Sequence, residues 1–211
     1  PVLRLHRDAI FTPMPVEVSL NASVLDLGAS GTRIAAPRGF DLGQSPHREA
    51  FVDLPGTTVE ALFDAYPESN ALPEPEIYYT VTALGNRSEE EGANPAHLSI
   101  QYYLHFFADV WGLDHQGGHR HEGDWEVFQI LLDENRVPYR AATTQQWQRA
   151  SLDSALAGGE SREWADVEVM ENTRPVLYVG QGGNSLYFEP GSTRFGTGAE
   201  PHDGLGHWLL P

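Results

Sequence analysis

The chain has 211 residues, with 40% hydrophobic and 10% aromatic side chains, so it is long enough for one sizeable core and short for two. Thirty acids against 13 bases leave a net charge of −17, and every base is Arg; such a surface repels phosphate backbones and anionic bilayers, which argues against general nucleic-acid binding, and it attracts divalent cations. Zero cysteines exclude disulfides and thiolate metal sites, and they leave secreted and cytoplasmic locations both open.

Short extended runs dominate the chain. Val2-Leu3-Arg4-Leu5-His6 alternates, and so does Val16-Glu17-Val18-Ser19-Leu20; both predict strands. Thr57 or Thr58 can cap a helix from Val59 to Tyr66, with Glu60 in its first turn. Ile77 to Leu84 (IYYTVTAL) is rich in β-branched and aromatic residues. The acidic Ser88 to Gly92 reads as a solvated loop. Leu98 to Phe107 (LSIQYYLHFF) and Trp125 to Leu132 follow as strands, and Gln145 to Leu156 has helical composition. Val167 to Met170, Pro175 to Val179 and Ser185 to Phe188 read as further strands, and the Gly-rich stretch Gly191 to Gly206 as a loop. Gly, Pro, Asn and Asp clusters separate these runs, with no internal repeat and no linker. The pattern predicts an all-β or mainly β chain with a few short helices: one antiparallel two-sheet β-sandwich over residues 1–211. No apolar run reaches the length of a membrane-spanning helix. The start at Pro1 rather than Met points to a processed or trimmed form.

One stretch carries the chemistry. Gly117 to Leu132 (GGHRHEGDWEVFQILL) brings His119, His121, Glu122, Asp124 and Glu126 up to the entrance of an apolar strand. Burying such groups costs several kcal/mol apiece, roughly, unless something pairs with them. In a strand, Asp124 and Glu126 share a face with Phe128, Ile130 and Leu132, about 7 Å apart by strand rise. Gly123 permits a bulge or sharp turn that would fold His121 and Glu122 over the same mouth. Carboxylates and imidazoles converging there form a divalent-cation site: Ca²⁺, Mg²⁺ or Mn²⁺ where oxygens dominate, Zn²⁺ where histidines do. The competing reading is a rim of solvated charges on an acidic protein.

The string HEGDWE (His121 to Glu126) resembles the vacuolar-protein-sorting-type family shared by fungi, plants and bacteria. Three further patches, in the same order, strengthen the resemblance. PVLRLHRDAIFTP looks like that family's N-terminal strand, Ile100-Gln101-Tyr102-Tyr103 resembles its IQYW strand, and Arg174 to Phe188 followed by Glu189-Pro190-Gly191 resembles its HPVVYVA-GSHASYF-PG segment. Two positions depart: Asn184 stands where that family carries His, and Gln145-Gln146-Trp147 where it reads SQH. Asn184 can still offer a carbonyl oxygen to a hard cation. More distantly, GHRHEGDWE is similar to the GHRHDWE motif of the necrosis- and ethylene-inducing-peptide-like cytolysins. That similarity implies a β-sandwich binding a divalent cation through His121, Asp124 and Glu126, with Asp109 or Asp114 as an upstream acid, and recognising sugar headgroups. A third pattern, His119-x-His121-x4-Glu126, matches the spacing of cupin metal sites, with His202 or His207 as a ligand from the C-terminal side.

Two functional classes follow. One is a cation-dependent protein that recognises a glycan or glycolipid-like ligand through the metal, Asp124, Glu126, Asp109, Asn184 and an aromatic such as Trp111. The other is a metal-dependent hydrolase or lyase, cupin-like in one version, in which His121 or Glu126 shuttles a proton. No nucleophile elbow, phosphate loop or dinucleotide fingerprint is present.

Overall fold

The computed structural model describes residues 1–26, 33–35, 51–54, 58–67, 74–84, 97–111, 121–145, 159–195, 198–206 and 208–209. The elements run, in chain order, β1 (Val2–Leu5), α1 (Val16–Ala22), β2 (Val24–Asp26), β3 (Arg33–Ala35), β4 (Phe51–Asp53), α2 (Val59–Ala65), β5 (Ile77–Ala83), β6 (Leu98–Asp109), β7 (His121–Leu132) and β8 (Pro138–Thr143). Then come β9 (Ser161–Glu163), a 3-10 turn (Trp164–Asp166), β10 (Val169–Met170), β11 (Arg174–Val179), β12 (Leu186–Tyr187), β13 (Gly191–Phe195), β14 (Gly198–His202) and β15 (Trp208–Leu209). The chain is mainly β, as its alternating runs predict.

Two five-stranded sheets face each other. One has the order β5-β6-β7-β8-β9, antiparallel throughout; the other has β10-β11-β1-β15, with β12 paired to β11. A single cluster of buried side chains joins them: Leu3, Leu5, Leu177, Val179 and Leu186 from one sheet meet Leu104, Phe106, Phe128, Ile130 and Leu132 from the other. The second sheet is not wholly antiparallel, because β1 runs parallel to β11, with Val2 opposite Val176 and Leu5 opposite Val179. Residues from β1 and β11 lie far apart in the chain, so no hairpin constrains their relative direction.

Two expectations change. Val16 to Leu20 lies within helix α1, not a strand. Over five residues, the spacing of Val16, Ser19 and Leu20 satisfies a helical period as well as Val16, Val18 and Leu20 satisfy a strand's. Pro15 occupies the N-cap at φ −57°, the buried Ser19 hydroxyl bonds the His105 ring at 2.8 Å, and Leu20 packs inside. The stretch from Gly191 contains the β13–β14 hairpin rather than a continuous loop, pairing Gly191 with His202 through Phe195 with Gly198. Its inward residues on β14 are Glu200 and His202, so it carries no apolar alternation to reveal it. The cap on α2 forms as expected, with the Thr58 hydroxyl accepting from the Ala61 N–H at 3.2 Å. The expected helix from Gln145 to Leu156 and the acidic stretch Ser88 to Gly92 fall outside the described residues apart from Gln145.

Strand β7 starts at His121, four residues before the apolar run that predicts it. It is paired on both sides, to β6 and β8. Gly123 sits at φ +59°, a left-handed conformation open to glycine, and interrupts the ladder without ending it. The register resumes unchanged beyond it, with Ala108 opposite Glu122 and Asp109 opposite His121.

The core makes a direct prediction. Phe128, with no exposed surface in the middle of β7, is expected to cost about 3–5 kcal/mol when replaced by Ala. Val137→Ala, 54% exposed in the β7–β8 turn, is expected to stay within about 0.5 kcal/mol. Urea denaturation of the two variants measures both.

Candidate functional site

The inner end of the β6–β7 ladder carries a group of acids. Asp109 ends β6, Asp124 and Glu126 lie on β7, and Glu200 arrives from β14. Their relative exposures are 0%, 7%, 5% and 0%, so these four carboxylates lie in the interior. They form one electrostatic unit: Asp109 acts on Asp124, Glu126 and Glu200, and Asp124 acts on Glu126 and Glu200. The strand alternation that buries Phe128 and Ile130 turns Asp124 and Glu126 inward too, as the sequence pattern predicts.

Each acid has a holder. Asp109 accepts the Trp111 N–H at 2.7 Å and lies 3.4 Å from the His121 Nε2. Asp124 accepts the Asn184 amide at 2.8 Å, and the same amide nitrogen donates to the Ala108 carbonyl at 2.9 Å. Asn184 takes a left-handed φ of 55°, a conformation that Asn tolerates better than most residues. Glu126 accepts a short hydrogen bond from the Thr144 hydroxyl, which itself accepts the Val127 N–H at 2.7 Å. Glu200 accepts the Tyr187 hydroxyl on Oε2 and is also hydrogen-bonded by the Ser185 side chain. Gly180 makes room for that carboxylate, since a Cβ there would stand 2.3 Å from it.

Burial and the charges of neighbouring acids push Asp124, Glu126 and Glu200 toward their neutral forms. Burial and the Asp109 charge raise Asp124 from 3.8 to about 6, despite the Asn184 bond and the His121 charge. Burial and the Asp124 charge hold Glu126 well above the usual carboxylate range. Burial, then the Asp109 and Asp124 charges, lift Glu200 from 4.5 to about 7 against its Tyr187 and Ser185 bonds. His121 responds the opposite way: its hydrogen bond to Asp109 raises it from 6.5 to about 9, making it an imidazolium at neutral pH. Its side chain is 52% exposed, so it stands where the acid cluster meets solvent.

Not every expected member joins. Glu122 turns away, and its carboxylate accepts the Leu54 N–H at 2.5 Å beside Asp53. The left-handed turn at Gly123 thus brings back His121 but not Glu122. Asn184 presents its amide nitrogen to the cluster, so it orients Asp124 and does not offer a carbonyl oxygen. Trp111 is 7% exposed, with Gly182 packed against its backbone, and has no open face for a sugar ring. His105 lies opposite Trp125 in the ladder, bonds Ser19, packs with its ring tilted against Trp125 at 4.8 Å, and is lowered by burial to about 4. His202 has both ring nitrogens engaged, one by the Glu189 carbonyl at 3.0 Å and one by Thr193 at 3.1 Å. His119, Asp114, Gln146 and His207 lie outside the described residues. Glu200 is the member that sequence reasoning missed, although His202 two residues on drew attention to this segment.

Among the described residues no group of three or more His, Asp or Glu side chains is posed to hold a metal ion directly. An ion here would need the carboxylates to rotate inward or water to bridge them, as hard cations commonly allow. An open cleft of about 430 Å³ lies elsewhere, lined by Arg140, Ser161, Arg162, Glu163 and Asp166, and shares no residue with the cluster.

With divalent ions removed by chelator, the folded state retains protons on Asp124 and Glu200 between about pH 4 and 7 that the unfolded chain has released. Stability therefore falls as pH rises through that window. The His121 contribution is complete below its unfolded value of 6.5 and is lost as pH rises through about 9, in the same direction. Melting temperature in chelator is expected to drop from pH 4.5 to pH 9. Glu126→Gln is expected to raise stability at pH 8 and to flatten that slope; an unchanged profile would remove the electrostatic unit. No family model, no curated protein and no solved structure matches the chain.

Proposed function

We propose that the protein binds a divalent cation between Asp109, Asp124 and Glu126, with His121 at the entrance, and uses it to recognise a glycan or glycolipid-like ligand. The observation that carries the reading is the burial of mutually repelling carboxylates against a single imidazolium. Such an arrangement calls for a positive guest, because unpaired buried charge is unfavourable by several kcal/mol, roughly. The oxygen-rich donor set favours Ca²⁺, Mg²⁺ or Mn²⁺ over Zn²⁺, whose sites take more nitrogen or sulfur. His121 is half exposed while the acids behind it are buried, so a ligand from solvent meets His121 first. The HEGDWE string and its companion patches support membership of the vacuolar-protein-sorting-type family, and the likeness to GHRHDWE supports the sugar-recognising role.

A metal-dependent hydrolase or lyase is the second reading. It is favoured by one observation: an imidazolium held by Asp109 within the field of Asp124, which is raised to about 6, can carry a proton to or from a bound substrate. Turnover of glycans by the metal-loaded protein, lost in His121→Gln, would select it over simple binding.

Melting the protein in chelator and then with each ion in turn tests the cation. Ca²⁺, Mg²⁺ or Mn²⁺ is expected to raise the melting temperature, by about 2.7 kcal/mol of stability at a hundred times the dissociation constant. In Asp124→Asn that rise should vanish, although the metal-free variant is at least as stable as the parent. No shift with any ion would overturn the proposal. Retention of the protein on immobilised glycans in Ca²⁺, and its release by chelator, tests the ligand.

A further inference from the structure

Asp124 and Glu126 use one face of β7, and the opposite face of the same sheet has a different composition. That face is formed by alternate residues of β5 from Tyr78 to Thr82, of β6 from Ser99 to His105 and of β7 from Trp125 to Leu131, since Tyr78 pairs with Tyr103 and Tyr103 with Val127. None of these positions is Asp, Glu, Lys or Arg, although 20% of the chain is charged. An open strip crosses the face diagonally. Trp125 is 44% exposed on β7, Val127, Tyr103 and Gln101 are half-buried, and Thr80 and Thr82 are exposed on β5. The Trp125 ring is braced by two tilted neighbours, His105 at 4.8 Å and Tyr78 at 5.7 Å. Tyr78 is fixed in turn by the Val16 N–H, which donates to its hydroxyl at 3.0 Å. Tyr103 donates its hydroxyl to the Gln101 amide oxygen, also at 3.0 Å. A braced aromatic ring thus leaves apolar surface in water that a ligand can cover, beside groups that donate and accept hydrogen bonds.

We infer that this strip binds an extended neutral glycan, with the Trp125 ring stacked on the C–H face of one sugar and Tyr103, Gln101, Thr80 and Thr82 bonding the hydroxyls of its neighbours. Size argues against a protein partner. The strip covers two strand spacings by about six residues, roughly 10 Å by 20 Å, or about 200 Å². A stable protein partner covers about 800 Å² on each side. Charge argues against an anionic ligand, because the strip has no Arg to meet a phosphate or a uronate and the net charge of −17 repels both. A neutral sugar meets both conditions: its C–H faces cover an aromatic ring, and its hydroxyls pair with amide and hydroxyl groups that donate and accept. Glu17 stands at the margin, where its carboxylate accepts the Tyr78 hydroxyl at 3.4 Å. The site goes beyond the cation reading and needs no ion, because Asp124 and Glu126 turn to the interior from the other face of β7.

Calorimetry on the whole chain tests the site, in chelator and in Ca²⁺. The probes are soluble β-1,4-linked hexasaccharides of glucose, mannose and xylose, with hexagalacturonate as the acidic counterpart. At least one neutral hexasaccharide is expected to bind with chelator present, and hexagalacturonate is not. Trp125→Ala is expected to weaken that binding about tenfold or more, and Trp125→Phe, which keeps a ring, to restore part of it. Thr80→Glu puts a charge on an exposed position of the strip and should weaken binding by about the same factor. Tyr79→Thr, 68% exposed on the opposite face of β5, should stay within about twofold of wild type. Far-ultraviolet circular dichroism checks that each variant folds, and Thr80→Glu carries the test where Trp125→Ala does not. Three results overturn the inference: no neutral hexasaccharide bound in chelator, hexagalacturonate bound more tightly than the neutral probes, or wild-type affinity in every folded strip variant. Binding that appears only with Ca²⁺ also overturns it, and leaves the cation reading standing.

Discussion

Asp124 is pressed from several sides and held by few contacts. One amide from Asn184 donates to it, while Asp109, Glu126 and Glu200 surround it with charge of its own sign, inside a sheet whose neighbouring side chains are Phe128, Ile130 and Phe106. Much of the local architecture makes sense as a means of keeping that carboxylate where it is. Asn184 adopts a left-handed backbone to aim its amide at Asp124 and at the Ala108 carbonyl together. Gly180 stays small to admit Glu200, and Gly182 lets the chain approach Val110, whose N–H donates to the Gly182 carbonyl at 2.8 Å. Thr144, just beyond the end of β8, clamps Glu126 and the Val127 N–H with one hydroxyl. A sheet built for stability alone would fill these positions with apolar side chains, as it does two residues further along β7.

The same sheet explains why the site can exist at all. β7 is paired on both sides, and its outer half is anchored by a continuous apolar face. The packing of Leu104, Phe106, Phe128 and Leu132 against Leu177, Val179 and Leu186 gives the ladder a stability reserve on which the acidic end can draw. Destabilising groups are tolerated where a rigid scaffold over-determines their position.

Much of this was legible in the sequence, and the limits are physical. The strands with apolar alternation, Leu98–Asp109 and Arg174–Val179, are readable because burial imposes period two on their side chains. The carboxylates at 124 and 126 are readable by the same rule, since they continue the parity of Phe128 and Ile130. The β13–β14 hairpin is not, because its inward side chains are polar and its glycines imitate a loop. For the same reason Glu200 was hidden: nothing local links it to a site 74 positions away, and only the fold brings β14 beside β7. Glu122 illustrates the reverse case. It has the right residue type at the right spacing, yet one left-handed glycine separates its fate from that of His121.

The buried oxygens of the cluster keep protons that exposed carboxylates would release, and this sets the character of the site. Burial lifts Asp124 to about 6 and Glu200 to about 7, both well above ordinary carboxylates, so the cluster favours protonated forms more than an exposed acid would. His121 is already committed to Asp109 as an imidazolium, and a protonated ring is no ligand. Among the described residues the cluster therefore offers oxygens and one competing positive charge, a combination that suits a hard cation and penalises one that wants nitrogen. The imidazolium stands on the solvent side of the cluster, half exposed in front of acids that are buried, so it is the charge of the cluster that solvent meets first.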